Sequence, residues 1–181
     1  MTGSNKTLLQ TWKTEGSEEI IKGLNIYKYK ITASDYYCVF DTKKFQQVAD
    51  SSFYKAKEKL VYRFISDTPV FALDTKQRIT LNSANILIPK VPGYSIYYIL
   101  AVLNSSAISF YYKKTFKNVK VLRSYLEALP IPCCKAADME EIAQISKKLC
   151  DNPASKDLYS ILDKKISKLY GISEEYSCLL F

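Results

Sequence analysis

Two Asp-Thr-Lys triplets could supply the carboxylates and the lysine that a metal-dependent nuclease needs. One match pairs Asp67 with Asp74–Lys76, and the other pairs Asp35 with Asp41–Lys43. In such a site the carboxylates would hold Mg²⁺ and the lysine would polarise the attacking water. Both triplets fall where turns are expected, and two matches in a lysine-rich chain show how easily the pattern arises. The sequence therefore favours solvated loops at both places over a nuclease centre.

Other residues that carry chemistry are sparse or absent. The chain contains no histidine, which removes the commonest zinc ligand and the usual general base at neutral pH. Its five glycines are scattered, so no phosphate-binding loop is predicted. The five cysteines form no C-x-x-C pair and predict reduced thiols: Cys38, Cys133, Cys134, Cys150 and Cys178. We expect no metal or cofactor in this chain, no membrane span and a cytoplasmic location.

The positive charge is concentrated in the first three quarters of the chain. Residues 1–137 carry 20 basic and 10 acidic residues, whereas residues 138–181 carry 6 basic and 8 acidic ones. Residues 110–124, FYYKKTFKNVKVLRS, hold five bases, four aromatics and no acid, and are called the basic segment below. Its residue order gives no sustained amphipathic helix, which disfavours a membrane surface. A nucleic-acid backbone is the favoured partner, and a merely solvated surface remains the alternative.

Alternation and turn residues predict several strands before residue 90. Ser17 could cap a short helix over Glu18–Lys22 that Gly23 would end. Tyr27–Ile31 alternates aromatic and basic residues and predicts one strand, while Asp74–Arg78 predicts a hairpin loop. Five further runs are rich in β-branched and aromatic residues and predict strands: Tyr36–Phe40, Leu60–Ile65, Val70–Leu73, Ile79–Leu81 and Asn85–Ile88.

The pattern becomes helical from Ser95 onward. An apolar stripe predicts a first helix up to Leu103, and Asn104–Ser106 can cap a second helix over Ala107–Lys113. Phe110 and Phe116 of the basic segment are expected to be buried. After Pro132, periodic apolar residues predict a C-terminal helical pair, the second helix ending at Gly171. We therefore predict an α+β fold with a mixed, mainly antiparallel sheet in residues 1–135, and a helical tail in residues 136–181 that packs on it or on a neighbouring protein.

The order of several segments resembles the C-terminal specificity domain of TaqI-like adenine-N6 DNA methyltransferases and of type IIG restriction-modification enzymes. Each segment is a weak motif alone, and their shared order makes the resemblance specific. The matching segments are TGSNK (Thr2–Lys6), EEIIKGLNIYKYKI (Glu18–Ile31), KLVYRFISDTPVFALD (Lys59–Asp74) with TLNSANILIP (Thr80–Pro89), YYILAVLNSSAISFYYKKTF (Tyr97–Phe116), LEALPIP (Leu126–Pro132) and ILDKKISKLYGISEEY (Ile161–Tyr176).

The resemblance implies a module that recognises a double-stranded DNA site and places an adenine in a separate catalytic domain. In such enzymes the adenine is flipped out before methyl transfer from S-adenosylmethionine, and a fused nuclease would need Mg²⁺. The chain lacks the Asn/Asp-Pro-Pro-Tyr/Phe motif of the catalytic part. By itself it is expected to bind DNA and to catalyse nothing. A half-module of a type I specificity subunit is the main alternative.

Charge and predicted loop position select the candidate DNA-binding residues, because the family gives no residue map for base reading. They are Lys6, Lys28, Lys30, Arg63, Arg78, Lys114, Lys117, Lys120 and Arg123. The lysines of the basic segment are expected to contact phosphates. For each arginine, a guanine contact and a structural ion pair are both open. Asn5 and Asn82 could read adenine or cap turns.

Overall fold

The computed structural model describes residues 5–173 and confirms an α+β fold. Its helices are α1 Asn5–Leu8, α2 Ser51–Tyr54, α3 Ile96–Asn104, α4 Ser106–Thr115, α5 Arg123–Glu127, α6 Ala136–Asp151 and α7 Lys156–Leu169. Its strands are β1 Glu18–Ile21, β2 Ile26–Tyr27, β3 Lys30–Ile31, β4 Tyr37–Cys38, β5 Lys59–Arg63, β6 Phe71–Asp74, β7 Ile79–Thr80 and β8 Ala84–Leu87. Short 3-10 helices cover Gly23–Asn25 and Thr42–Lys44.

The central sheet has the antiparallel order β6-β5-β8, and its two faces are buried against different layers. Leu60 and Tyr62 of β5 point with Phe71 into the largest core cluster, which the long helices share. Val61, between them in sequence, faces a smaller cluster that includes Ile26. Side chains alternate along a strand, so β5 contacts both layers, as does β6 through Phe71 and Ala72.

The second sheet, of order β4-β1-β7, corrects the helix predicted over Glu18–Lys22. The segment is instead strand β1, antiparallel to β4 and parallel to β7. Ile20 and Ile21 are fully buried in two different clusters, as the opposite faces of a strand require. Gly23 therefore ends no helix. A Cβ at Gly23 would lie 2.6 Å from the Ser83 carbonyl oxygen, so the close approach of two backbones requires glycine there.

Two other sequence predictions in the sheet region are also wrong. Tyr27–Ile31 is a tight hairpin of β2 and β3 rather than one strand. Its turn residue Tyr29 has a φ of 63° and is held by burial against Tyr159, with ring centroids 5.5 Å apart. Asp74–Arg78 is not a hairpin loop, because it joins β6 to β7 and these strands lie in different sheets.

The helical layer follows the sequence predictions closely. Helix α3 begins after Ser95, whose side chain accepts a hydrogen bond from the Tyr98 amide, and Ser105 caps α4 in the same way. Helix α7 ends at the predicted place, where Gly171 has a φ of 70° and closes the last turn. Helices α6 and α7 share the largest core cluster with α3, β5 and β6. No helix of residues 5–173 is long and apolar enough to cross a membrane.

Candidate nucleic-acid interface

The basic segment is fixed to the end of strand β5 by backbone hydrogen bonds. It begins on α4, and its next residues run antiparallel to the chain that follows β5. The Ser66 amide donates to the Val119 carbonyl at 2.9 Å, and the Val121 amide donates to the Phe64 carbonyl at 2.7 Å. Lys120 lies opposite Ile65 in this short pairing. The segment is thus held against the sheet, and its side chains are presented from a supported backbone.

Aromatic side chains pack the basic segment against helix α5 and the core. Phe116 stacks on Tyr125 of α5, with centroids 4.4 Å apart and an interplanar angle of 15°. Tyr112 is fully buried beneath them, as its place in the largest core cluster shows. The expectation that Phe110 is buried is wrong, since 38% of it is exposed, with the Lys114 ammonium 5.5 Å from its ring centroid. The buried aromatic residues thus lie on the core side of the basic segment, and its charged residues are exposed.

All five bases of the segment are exposed: Lys113, Lys114, Lys117, Lys120 and Arg123. The Arg123 side chain is 86% exposed and makes one ion pair, from its Nε to Glu127 Oε1 at 2.7 Å. This bond uses one edge of the guanidinium. The two terminal amino groups have no hydrogen-bond partner among residues 5–173. They retain the planar fork that binds phosphate or guanine in a bidentate manner.

Arg78 is committed to carboxylates inside the fold. Its Nε lies 2.9 Å from Glu19 Oε2 and its Nη1 lies 2.9 Å from Asp74 Oδ1, while only 12% of its side chain is exposed. These contacts connect β1 to the start of the β6–β7 connection. Of the two possibilities that the sequence left open for Arg78, the structure favours the ion pair.

Arg63 is also held by the protein. Its Nε donates to the Ile26 carbonyl at 2.6 Å, and its guanidinium lies 4.8 Å from the ring centroid of Tyr27. The side chain remains partly exposed at the end of β5, next to the pairing that carries Lys120. Arg63 therefore fixes the β2–β3 hairpin to the sheet and contributes positive charge beside the basic segment.

Lys28 and Lys30 lie in the β2–β3 hairpin with different exposure. The Lys28 ammonium donates to the Asn104 carbonyl at 2.7 Å. Burial lowers the pKa of Lys28, the nearby Asp163 opposes that shift, and Lys113 adds to it. Lys30 is exposed. The Lys6 and Asn5 side chains fall outside the part of the chain that the structure describes, and Asn82 is exposed in a turn.

Asp74, the key residue of one predicted nuclease triplet, is buried and fully occupied. Its carboxylate accepts from Lys59 Nζ at 2.6 Å, from Arg78 Nη1 at 2.9 Å and from the amides of Lys76 and Arg78. Its triplet partner Asp67 is exposed on a loop. In the other triplet, Asp41 accepts from the Lys43 amide in a 3-10 turn. Among residues 5–173 no three metal-ligating side chains lie together.

A cleft beside the basic segment was not predicted from the sequence. It has a volume of about 770 Å³ and runs along β8, the outer strand of the central sheet. Three parts of the chain line it: residues 46–49 with Phe53 and Tyr54, strand β8 with Tyr62 and Thr80, and Arg123. The lining residues with polar side chains are Gln46, Gln47, Tyr54, Tyr62, Thr80, Asn85 and Arg123. No local motif unites residues so far apart, so only the fold brings them together.

Comparison with known proteins identifies the family to which this α+β chain belongs. The family model of the TaqI-like C-terminal specificity domain matches residues 18–131, which is more than half of the chain. The chain therefore belongs to the TaqI-like C-terminal specificity domain family. No curated protein sequence matches it significantly.

A solved structure supports the same fold. Type IIL restriction-modification enzyme MmeI, determined in complex with DNA, superposes on 95% of this chain with a TM-score of 0.64 at 11% sequence identity. The chain spans 32% of the length of that enzyme. At this identity the likeness concerns the fold, which extends beyond residue 131 into the helical tail.

Proposed function

We propose that this chain is the double-stranded DNA recognition module of a restriction-modification system. The observation that carries the proposal is the basic segment, which presents five exposed bases from a supported backbone in a chain of the specificity-domain family. Lysine and arginine attract phosphates regardless of sequence, and a supported backbone fixes how they meet the duplex. MmeI, which shares the fold, is known in complex with DNA.

We further propose that the parent enzyme is an adenine-N6 methyltransferase, with or without a fused nuclease. The recognition module would position the target adenine for a catalytic domain that binds S-adenosylmethionine, and this chain would be no enzyme by itself. Residues 1–135 would contact DNA, and the helical tail would pack on them and on the catalytic part. The low net charge of residues 138–181 supports a protein contact rather than a DNA contact for the tail.

The proposal predicts salt-sensitive binding to duplex DNA. If the four lysines of the basic segment each neutralise one phosphate, log K should fall with log salt with a slope of about −3.6. Binding of a labelled duplex by fluorescence anisotropy between roughly 50 and 200 mM salt measures that slope. The triple variant Lys114→Ala, Lys117→Ala, Lys120→Ala should reduce the magnitude of the slope by about 2.7.

A matched control removes the same charge from the tail. Lys147, Lys148 and Lys164 are exposed on α6 and α7, and their replacement by alanine should leave the slope nearly unchanged. Equal effects of the two triple variants would show that net charge alone, not the basic segment, attracts the duplex. Binding that is indifferent to salt would refute the proposed function.

A further inference from the structure

We propose that the cleft along β8 reads base edges of the DNA, with Arg123 recognising a guanine and the amides of Gln46 and Asn85 recognising adjacent bases. This inference rests on the proposed function and assigns its sequence specificity to one place. It separates base reading in the cleft from phosphate binding by the lysines of the basic segment. Gln46 and Asn85 are not among the residues that charge selects.

Arg123 is the arginine best placed to contact a ligand. The chain contains three arginines, and the other two, Arg63 and Arg78, are bonded to Ile26 and to two carboxylates. Arg123 lines the cleft, and its ion pair with Glu127 uses only Nε. The remaining amino groups match the O6 and N7 acceptors of guanine, which is the commonest specific contact in the major groove.

The amides supply the complementary chemistry. Asparagine and glutamine can each donate one hydrogen bond to and accept one from adenine in a bidentate manner. Asn85 lies opposite Tyr62 in the β5–β8 pairing. Tyr62, Asn85 and Arg123 all line the cleft. Burial raises the pKa of the Tyr62 hydroxyl, while a hydrogen bond with the Asn85 side chain and the charge of Arg123 act to lower it. Gln46 lines the cleft from a different part of the chain and is exposed.

The arrangement around the cleft also suits DNA. The described residues that line it include no acid, and the Glu127 carboxylate beside it is bonded to Arg123 Nε. Arg123 lies near the end of the basic segment, and the pairing at Lys120 fixes the backbone three residues before it. Phosphate contacts from the lysines would therefore set the register of the duplex, and the cleft would meet base edges at a defined offset.

The test compares two variants that each remove one positive charge from the basic segment. Duplexes that the 181-residue chain binds best are first selected from a randomised library, and affinities are then measured for every single base-pair change at one fixed salt concentration. In Arg123→Gln we expect the discrimination at one G·C pair to fall by roughly 5- to 150-fold. Lys120→Gln should weaken binding to all duplexes alike.

Gln46→Ala tests base reading independently of charge, because it changes no charge and alters an exposed residue. It should relax the preference at one base pair near the G·C pair while leaving the salt slope unchanged. The thermal midpoint of each variant, followed by circular dichroism, should match that of the unmodified chain.

The outcomes distinguish this inference from the proposed function. If Arg123→Gln and Lys120→Gln both weaken binding uniformly, the base-reading role is wrong and DNA binding stands. Salt-sensitive binding of the unmodified chain without any sequence preference would also overturn the inference alone. If the unmodified chain binds no duplex, the proposed function fails and the inference fails with it.

Discussion

The buried pair of Lys59 and Asp74 gives a prediction that separates a structural role of Asp74 from a metal-binding one. Both side chains are 0% exposed, and Lys59 Nζ lies 2.6 Å from Asp74 Oδ2 and 2.7 Å from the Tyr54 carbonyl oxygen. Replacing Lys59 by methionine keeps an apolar chain of similar length and removes the charge. Asp74 would then be buried with Arg78 as its remaining charged partner.

The expected cost of Lys59→Met is about 3 kcal/mol in the free energy of unfolding. Breaking a buried ion pair typically costs roughly 3–5 kcal/mol, because the remaining charge is desolvated without compensation. The low end applies here because Arg78 Nη1 stays 2.9 Å from the other carboxylate oxygen. A loss of this size is large against the roughly 5–15 kcal/mol that stabilise a typical domain.

Urea unfolding at pH 7, followed by circular dichroism, measures this cost. Lys57→Met is the matched control, since Lys57 is exposed two residues earlier and its replacement should change the free energy by no more than about 0.5 kcal/mol. A cost below about 1 kcal/mol for Lys59→Met would refute the structural role.

Mg²⁺ provides the second readout for Asp74. A ligand that binds the folded state raises the thermal midpoint, so Mg²⁺ should leave the midpoint of this chain unchanged if Asp74 is occupied by Lys59 and Arg78. A rise that Asp74→Asn abolishes would contradict the reasoning and revive the nuclease hypothesis.

Two further predictions concern the core. Asn104→Ala should lower the free energy of unfolding in urea by about 2–4 kcal/mol, because the Asn104 side-chain amide makes two buried 3.0 Å hydrogen bonds with the backbone of Phe71. The control Asn82→Ala alters an exposed residue and should change it by almost nothing. Burial, reinforced by Glu18, raises the pKa of Cys38 from 9.0 to about 11. The Cys38 thiol therefore loses its proton at a lower pH in the unfolded chain than in the folded chain. The free energy of unfolding should fall between about pH 9 and 11, by at most about 2.7 kcal/mol. Cys38→Ala should reduce this fall, and replacing the exposed Cys133 by alanine should not.

The predictable parts of the fold are those that local chemistry determines. Ser95 and Ser105 cap their helices through their own side chains, and Gly171 ends α7 through its left-handed backbone. These signals span only a few residues and can be found in the sequence. Strand β1 could not be found in this way, because Glu18 and Glu19 resemble the first turn of a helix. Its partners lie about 20 and 60 residues away, and pairing with them overrides the local preference.

The candidate interface was predictable in charge but not in function. Composition shows where the basic side chains are concentrated. It cannot distinguish a free basic side chain from one that is bonded to a distant part of the chain. Arg78 reaches Glu19 across 59 residues, and Lys28 reaches Asn104 across 76. The DNA-binding roles of the nine candidates and the division at residue 135 stay predictions. Apart from Arg123, the residues proposed to read bases carry no sequence signal, because Gln46 and Asn85 resemble ordinary polar loop and strand residues.

The way the basic segment is supported favours specific over purely electrostatic binding. A mobile lysine-rich tail attracts phosphates just as well, but its backbone would have to be ordered when it binds. That cost adds to the loss of about 0.5–1.5 kcal/mol for each immobilised long side chain, which both arrangements share. Here the backbone is already fixed by the pairing at Ile65 and Lys120 and by the stacking of Phe116 on Tyr125. The backbone of Arg123 is therefore held relative to strand β8 in the free chain. Attraction of phosphates does not require a fixed distance between the basic residues and the cleft. Discrimination between base pairs does require it, because the phosphate contacts must place base edges against the hydrogen-bonding side chains of the cleft.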